Sequence, residues 1–183
     1  EWDSVIAVHL KGHFVPTKFA AIYWRGQTKA GKTVKASVVN TSSTSGLLGN
    51  PGQANYGAAK AGIGPFTATT AQELGRYGVR VNAIAPAART RLTVATPGLG
   101  DIIKAPDEPG KFDIWDPANV SPLVAWLATE DCPATGRVFW VQGGSVNLMT
   151  GWTIGEGVER DDRWTVDELD EKPIVSGDLF EGG

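Results

Sequence analysis

Cysteine is all but absent from this chain. Cys132 stands alone, so no internal disulfide can form, and a cysteine-based zinc site has no second sulfur ligand. Histidine is nearly as scarce: His9 and His13 are the whole supply, no third ligand clusters with them, and no metal site is expected. No apolar run approaches the ~18 to 20 residues that a membrane span needs, and there is no charged-then-apolar leader, so neither a membrane nor an export route is expected and the cytoplasm is the default compartment. A basic footprint for nucleic acid is missing too, the net charge being −3. That charge is unevenly placed: residues 151–183 hold ten acidic and three basic side chains, a balance of −7 against +4 for residues 1–150. The positive excess suits an anionic ligand such as a CoA phosphate, or is ordinary solvated surface.

What the chain does hold is 183 residues at 42% hydrophobic and 20% charged content, the balance of a globular domain with a sizeable core. Its centre is the stretch from Ala36 to Gly64. A β-branched run, Ser37 to Asn40, gives way to small hydroxyl residues, then to a Gly/Pro/Asn loop, then to an Ala-rich segment. That order predicts a strand, a loop and a helix. Tyr56 and Lys60 stand four apart and share one helix face. A free phenol titrates near ~10 and is a poor proton donor or base at neutral pH. An adjacent ammonium stabilises the phenolate, which turns the pair into a proton-transfer device. Ser43 lies thirteen positions before Tyr56, where the strand ends. The carboxyl end of an open parallel sheet is where ligands bind, and a hydroxyl there can hold a carbonyl oxygen while Tyr56 protonates it.

Ser43, followed by Asn50-Pro-Gly-Gln-Ala-Asn-Tyr56-Gly-Ala-Ala-Lys60-Ala-Gly and by Arg80-Val-Asn-Ala-Ile-Ala-Pro86, resembles the Ser…Tyr-x-x-x-Lys core of the short-chain dehydrogenase/reductase family. The resemblance runs from Trp2 to about Gly144. Trp2-Asp3-x-Val5-Ile6-x-Val8-His9-Leu10-Lys11-Gly12-x-Phe14 and the segment Ile84 to Thr93 bring it closest to the (3R)-hydroxyacyl-CoA dehydrogenase branch, that of peroxisomal multifunctional enzyme type 2, with acyl-carrier-protein ketoreductases next. It implies an α/β fold, the C-terminal half of a Rossmann-like doubly wound parallel sheet, over residues 1–150, followed by an acidic C-terminal extension over 151–183. It implies NAD or NADP as cofactor and a secondary alcohol or ketone as substrate, a 3-hydroxyacyl or 3-ketoacyl thioester such as an acyl-CoA, with a hydroxysteroid as alternative. A homodimer or homotetramer is implied as the assembly.

By the same resemblance Ser43 orients the substrate oxygen and Tyr56 transfers the proton. Lys60 assists Tyr56 and binds the nicotinamide ribose, so Tyr56 and Lys60 also face the cofactor. Where the family places an Asn that holds a water in a proton relay from the lysine to solvent, this chain has His9, a departure shared by the hydroxyacyl-CoA branch. A neutral imidazole both donates and accepts, so it can serve the relay, or it can be satisfied by nearby backbone. The segment from Pro86 to Thr93 crosses the nicotinamide face in the family, which makes Ala88 and Thr90 candidates for cofactor contact. Thr90 reads equally as a loop cap.

The remaining elements follow from pattern. Val5, Val8, Phe14, Val15, Phe19 and Ile22 recur at helical spacing and predict a helix capped by Asp3 or Ser4 and ending at Trp24, with a turn over 26–35. The central helix is expected over 54–77, a buried strand over 79–85, a lid or plain connection over 92–116, a helix from Asp116-Pro117 to Thr129, and one final strand within 135–144. Thr165-Val-Asp-Glu168 reads as a capping box. No Gly-rich dinucleotide turn follows a strand near the start, so roughly three βα units, on the order of 100 residues, are expected ahead of Glu1. The competing reading is a binding or assembly subunit without a cofactor site.

Overall fold

The computed structural model describes residues 1–96, 98–155 and 157–171. Glu1–Met149 forms one compact unit and the chain from Thr150 a second. The first opens with a long helix in three parts: α1 (Trp2–Ile6), a wide π-type turn (Ala7–Lys11) and α2 (Gly12–Lys29). Strand β1 (Ala36–Thr41), the one-turn helix α3 (Thr44–Leu47), the long helix α4 (Ala54–Gly75) and strand β2 (Val79–Pro86) follow. After the short helix α5 (Arg91–Val94) come a 3₁₀ turn (Pro117–Val120), α6 (Ser121–Ala128) and the hairpin β3 (Val138–Gln142) and β4 (Ser145–Leu148).

The sheet order is β1-β2-β3-β4. β1 and β2 run parallel, with Ala36 opposite Val79 and Thr41 opposite Ile84, and β3 continues the parallel set. Alternate residues of β2 serve opposite layers. Val79 and Val81 pack with Ala71 and Leu74 of α4 and with Ala21 and Trp24 of α2. Ile84 packs with Leu123 and Leu127 of α6, Cys132 and Val141. Helices therefore cover both faces, and β2 reads as a nearly continuous apolar run because neither face meets water. Two polar residues interrupt the run, Arg80, which donates to Leu127 O (3.0 Å), and Asn82, fully buried in mid-strand: its amide donates to Ala134 O (2.8 Å) and its carbonyl oxygen accepts from Arg137 N (3.1 Å), tying down the turn into β3.

Four local expectations are corrected. The first helix starts at Glu1 as N-cap, and Ser4 donates back to the Glu1 carbonyl (2.8 Å) rather than capping. That helix continues through Gly26 to Lys29, because Ala21 and Trp24 are held against the sheet and carry the last turn with them. The central helix stops at Gly75, two residues before Tyr77, in turns closed by Tyr77 N to Leu74 O and Gly78 N to Gly75 O. Gly78 has φ +75, and a Cβ there would lie 2.0 Å from Val34 O. The last strand is a hairpin: Gly143, at φ +53, turns the chain so that β4 returns antiparallel to β3. The cap expected at Asp116 is present, its carboxylate accepting from Ala118 N (2.8 Å) with Pro117 following.

In the second unit Thr165 and Glu168 form the expected reciprocal capping box at α7 (Val166–Asp170), and Arg160 lies 5.2 Å over the Trp164 ring while pairing with Glu168.

Candidate active site

β1 and β2 both end at the same edge of the sheet, and the candidate residues gather at that end of β1. β1 finishes at Thr41, and the next two residues leave the strand in opposite senses. Ser42 is buried, donates its hydroxyl to Lys60 O (2.8 Å), and keeps its N–H on the ladder to Ile84 O (2.7 Å). Ser43 becomes the N-cap of α3, its Oγ accepting from Ser45 N (3.2 Å). That single turn presses on α4. A Cβ on Gly46 would fall 2.5 Å from Ala61 N and 2.7 Å from Lys60 Cβ, and one on Gly57 would fall 3.2 Å from Ser45 O. Ser43 is thereby seated beside the turn of α4 that carries Tyr56 and Lys60.

Lys60 is buried, and its Nζ donates to Thr41 O (2.7 Å) while lying 5.6 Å from the centroid of the Tyr56 ring. The i, i+4 spacing read from the sequence accordingly becomes a real contact. One of the three ammonium protons is spent on Thr41, leaving two for a ligand. Burial draws the Lys60 pKa below its ordinary value.

The wide turn of the first helix brings His9 and Leu10 onto α4. The His9 ring meets the Tyr56 ring edge-on, centroids 5.0 Å apart, and Gly62 makes room for Leu10, whose Cδ1 would lie 3.1 Å from a Cβ at that position. His13 follows one turn later, with Nδ1 2.6 Å from His9 O and Nε2 3.2 Å from Thr41 N. Both imidazoles have pKa values lowered from the ordinary 6.5, chiefly by burial. The Lys60 charge lowers both further; at His13 the bond to the His9 backbone opposes the shift.

The sign of this shift fixes a pH dependence. The unfolded chain binds protons at its two histidines before the folded one does, so their neutral state contributes stability that is complete above about 6.5 and is lost as pH falls from there. Urea unfolding midpoints should therefore drop between about pH 7.5 and 5.5. His9→Asn combined with His13→Asn should flatten that slope; an unchanged slope would place its origin elsewhere.

Ala88 and Thr90 lie beyond the end of β2. Thr90 caps α5: its Oγ1 accepts from Thr93 N (3.2 Å) and its N–H donates to Thr93 Oγ1 (2.6 Å), while Ala88 O accepts from the Thr93 hydroxyl (3.2 Å). The cap reading of Thr90 is thus realised. Arg89 between them is fastened to Asp113, to Ile103 O (3.0 Å) and, through its backbone, to Trp115 O (2.7 Å), so the 92–116 segment is tied to the end of β2. Asp113 is held below the usual carboxylate range by Arg89. A hollow of about 540 Å³ opens beside this anchor, lined by Arg89, Val94, Thr96, Asp101 and Lys104 among others.

The structure brings Tyr56, Lys60 and His9 into contact and puts Ser43 on the turn packed against α4; sequence reasoning passed over Thr41, Ser42 and Gly46 and read His13 only as a companion of His9. Thr41 acts through its carbonyl, which no residue type announces. The two readable signals were the Thr-Ser-Ser run ending the strand and the glycine three residues after Ser43.

A Tyr-Lys pair held this way, beside a hydroxyl at the carboxyl edge of a parallel sheet, agrees with what sequence comparison finds. The short chain dehydrogenase family model matches residues 1–97. The hydroxyacyl-CoA dehydrogenase ChsB1 of Mycobacterium tuberculosis is 49% identical over 154 residues, covering 82% of this chain and 47% of that protein. The human (3R)-3-hydroxyacyl-CoA dehydrogenase is 40% identical, covering 79% of this chain and 54% of its own. Among solved structures, a short chain dehydrogenase from Mycobacterium avium superposes with a TM-score of 0.78 at 50% identity, covering 92% of this chain and 54% of that one. A 4-hydroxyisoleucine dehydrogenase mutant solved with NADH and succinate gives a TM-score of 0.63 at 30% identity, covering 78% and 58%. The chain spans about half the length of the curated relatives it matches. It belongs to the short-chain dehydrogenase/reductase family of oxidoreductases.

Proposed function

We propose that this chain carries the proton-transfer half of an NAD- or NADP-dependent enzyme that interconverts a 3-hydroxyacyl and a 3-ketoacyl thioester. The observation that carries the reading is the Lys60 ammonium, buried and fastened to Thr41 O beneath the Tyr56 ring. The relatives named hydroxyacyl-CoA dehydrogenase support the thioester substrate. The residues present suit a nicotinamide nucleotide: Lys60 keeps two ammonium protons for ribose hydroxyls, Tyr56 stands beside it, and the Ala88–Thr90 backbone follows the strand end that would meet the carboxamide.

A bound nicotinamide would supply the hydride chemistry, taking the hydride of the alcohol or providing that of the reduced product. The chain's own residues do the rest. Ser43 Oγ donates to the substrate oxygen and fixes its direction. Tyr56 takes the hydroxyl proton as the carbon–oxygen bond becomes a carbonyl, or returns it in reduction. Lys60, itself buried, stabilises negative charge on the phenol oxygen. His9, edge-on to the phenol, offers an imidazole for passing the proton outward.

The exposed apolar residues Val8, Phe19, Ile22 and Tyr23 on the first helix support a homodimer or homotetramer as the assembly. Function is tested by following reduced nicotinamide absorbance with NAD⁺ or NADP⁺ and either enantiomer of a 3-hydroxyacyl-CoA, with a hydroxysteroid in parallel. Turnover of the thioester well above the steroid is expected; turnover of the steroid alone would overturn the substrate assignment.

A further inference from the structure

We propose that Asp113 is a positioning residue for the nicotinamide: by clasping Arg89 it holds the Ala88–Thr90 backbone in place beyond the end of β2. This rests on the reading of that backbone as the stretch that meets the carboxamide.

The clasp grips Arg89 by main chain and side chain together. Its N–H donates to Trp115 O (2.7 Å), and its guanidinium reaches Ile103 O (3.0 Å) and both carboxylate oxygens of Asp113, Oδ1 at 3.2 Å. A planar fork that meets a carboxylate with two N–H groups fixes direction as well as distance. Only 23% of the Arg89 side chain and 17% of the Asp113 side chain are exposed, so the pair is weakly screened.

Asp113 is itself held against the sheet. Its Oδ1 also accepts from Trp115 N (3.0 Å), and its carbonyl accepts from the Asn119 amide (2.8 Å). The adjoining Ile114 packs on the β3–β4 turn so closely that a Cβ on Gly143 would lie 3.2 Å from Ile114 Cα. On the other side Ala87 N–H donates to Val141 O of β3 (2.9 Å). Both halves of the clasp are thus referred to the same end of β3.

The residues flanking Arg89 are fixed from α5. The Thr93 hydroxyl donates to Ala88 O (3.2 Å), and Thr90 N–H donates to Thr93 Oγ1 (2.6 Å). Among the described residues the Ala88 N–H meets no protein acceptor, although the residues on both sides of it are anchored. A donor held still in this way suits a carboxamide oxygen, because its ordering is complete before the ligand arrives.

The test pairs hydrogen exchange with nucleotide titration, neither of which needs turnover. In Asp113→Ala the Arg89 amide should exchange at least ~10-fold faster than in wild type, and fluorescence titration with NADH or NADPH should give a Kd raised at least ~10-fold. Asp113→Asn keeps an acceptor for Arg89 and for Trp115 N–H, and should fall between the two in both readouts. Glu108→Gln breaks an exposed pair with Lys111 in the same segment and should match wild type. Asp113→Ala exchange equal to wild type would overturn the proposal. So would faster exchange with an unchanged Kd, which would make the clasp structural only, or a Glu108→Gln effect as large as that of Asp113→Ala. A wild type that binds neither nucleotide fails the cofactor reading itself, and the proposal with it, whatever the exchange rates. If Asp113→Ala does not fold, Asp113→Asn decides, with both changes expected at ~3-fold or more.

Discussion

Tyr56→Phe is expected to lower turnover by at least ~10³-fold while leaving stability within about 0.5 kcal/mol of wild type. The two halves of that expectation have different origins. The phenyl ring retains the edge contact with the His9 ring and its place over Lys60, so the packing that Tyr56 contributes survives. Only the phenol oxygen, the proton carrier of the proposed mechanism, is lost, and no neighbouring group occupies the same position on the helix face. Lys60→Met is the informative partner variant. Burial disfavours the ammonium, whose pKa is lowered on folding, so folding at neutral pH works against that charge and removing it relieves the penalty. Against this stands the loss of the charge-assisted bond to Thr41 O, about 1.5 to 3 kcal/mol. Stability should therefore fall by less than the full worth of that bond, although catalysis fails. Tyr56→Phe retaining a normal rate would remove Tyr56 from the chemistry; a Lys60→Met chain that unfolds would make Lys60 a structural strut rather than a catalytic charge.

The site was legible in so far as it depends on side-chain type at fixed spacing. Tyr56 and Lys60 lie on one helix face whatever the helix packs against, and a β-branched run followed by hydroxyl residues predicts a strand that ends where Ser43 begins. The hidden parts are those made by backbone. Thr41 holds Lys60 through its carbonyl, and the wide turn at Ala7–Lys11 adds one residue to a helical repeat without disturbing which residues are apolar. Helical periodicity alone therefore showed a continuous helix, and His13 looked like a spare histidine near His9. The final hairpin escaped for a different reason: Ser145–Leu148 alternates polar and apolar residues but is only four residues long and exposed throughout, too short a pattern to mark a strand, and only the Gly143 turn hints that the chain doubles back. Thr90 shows the converse limit, since a threonine at a loop end serves as a helix cap by the same chemistry that would bind a ligand.

Gly46→Ala is expected to cost about 3 kcal/mol or more in urea unfolding, a large effect for one added methyl group. Most of the described glycines face open space or sit at turns; Gly46 has an ordinary helical backbone, yet its missing Cβ would meet the main chain of α4. A methyl there would lie 2.5 Å from Ala61 N and 2.6 Å from Lys60 C, and neither can swing away as the end of a flexible side chain would. Relief requires α3 to lift from α4. That motion moves the Ser43 cap, because Gly46 N–H is bonded to Ser43 O (3.0 Å), and it loosens the Ser42 hydroxyl from Lys60 O. The stability loss and a fall in turnover should thus arrive together, with the fall persisting under conditions where the variant remains folded. Gly75→Ala provides the control, being a helical glycine with nothing within 4 Å of its missing Cβ, and it should leave both properties near wild type. If Gly46→Ala were as stable as Gly75→Ala, α3 would not be seated on α4 in solution, and the placement of Ser43 beside Tyr56 would lose its physical basis. The close approach is thus what converts a serine thirteen residues away in sequence into a neighbour of the helix turn that carries Tyr56 and Lys60.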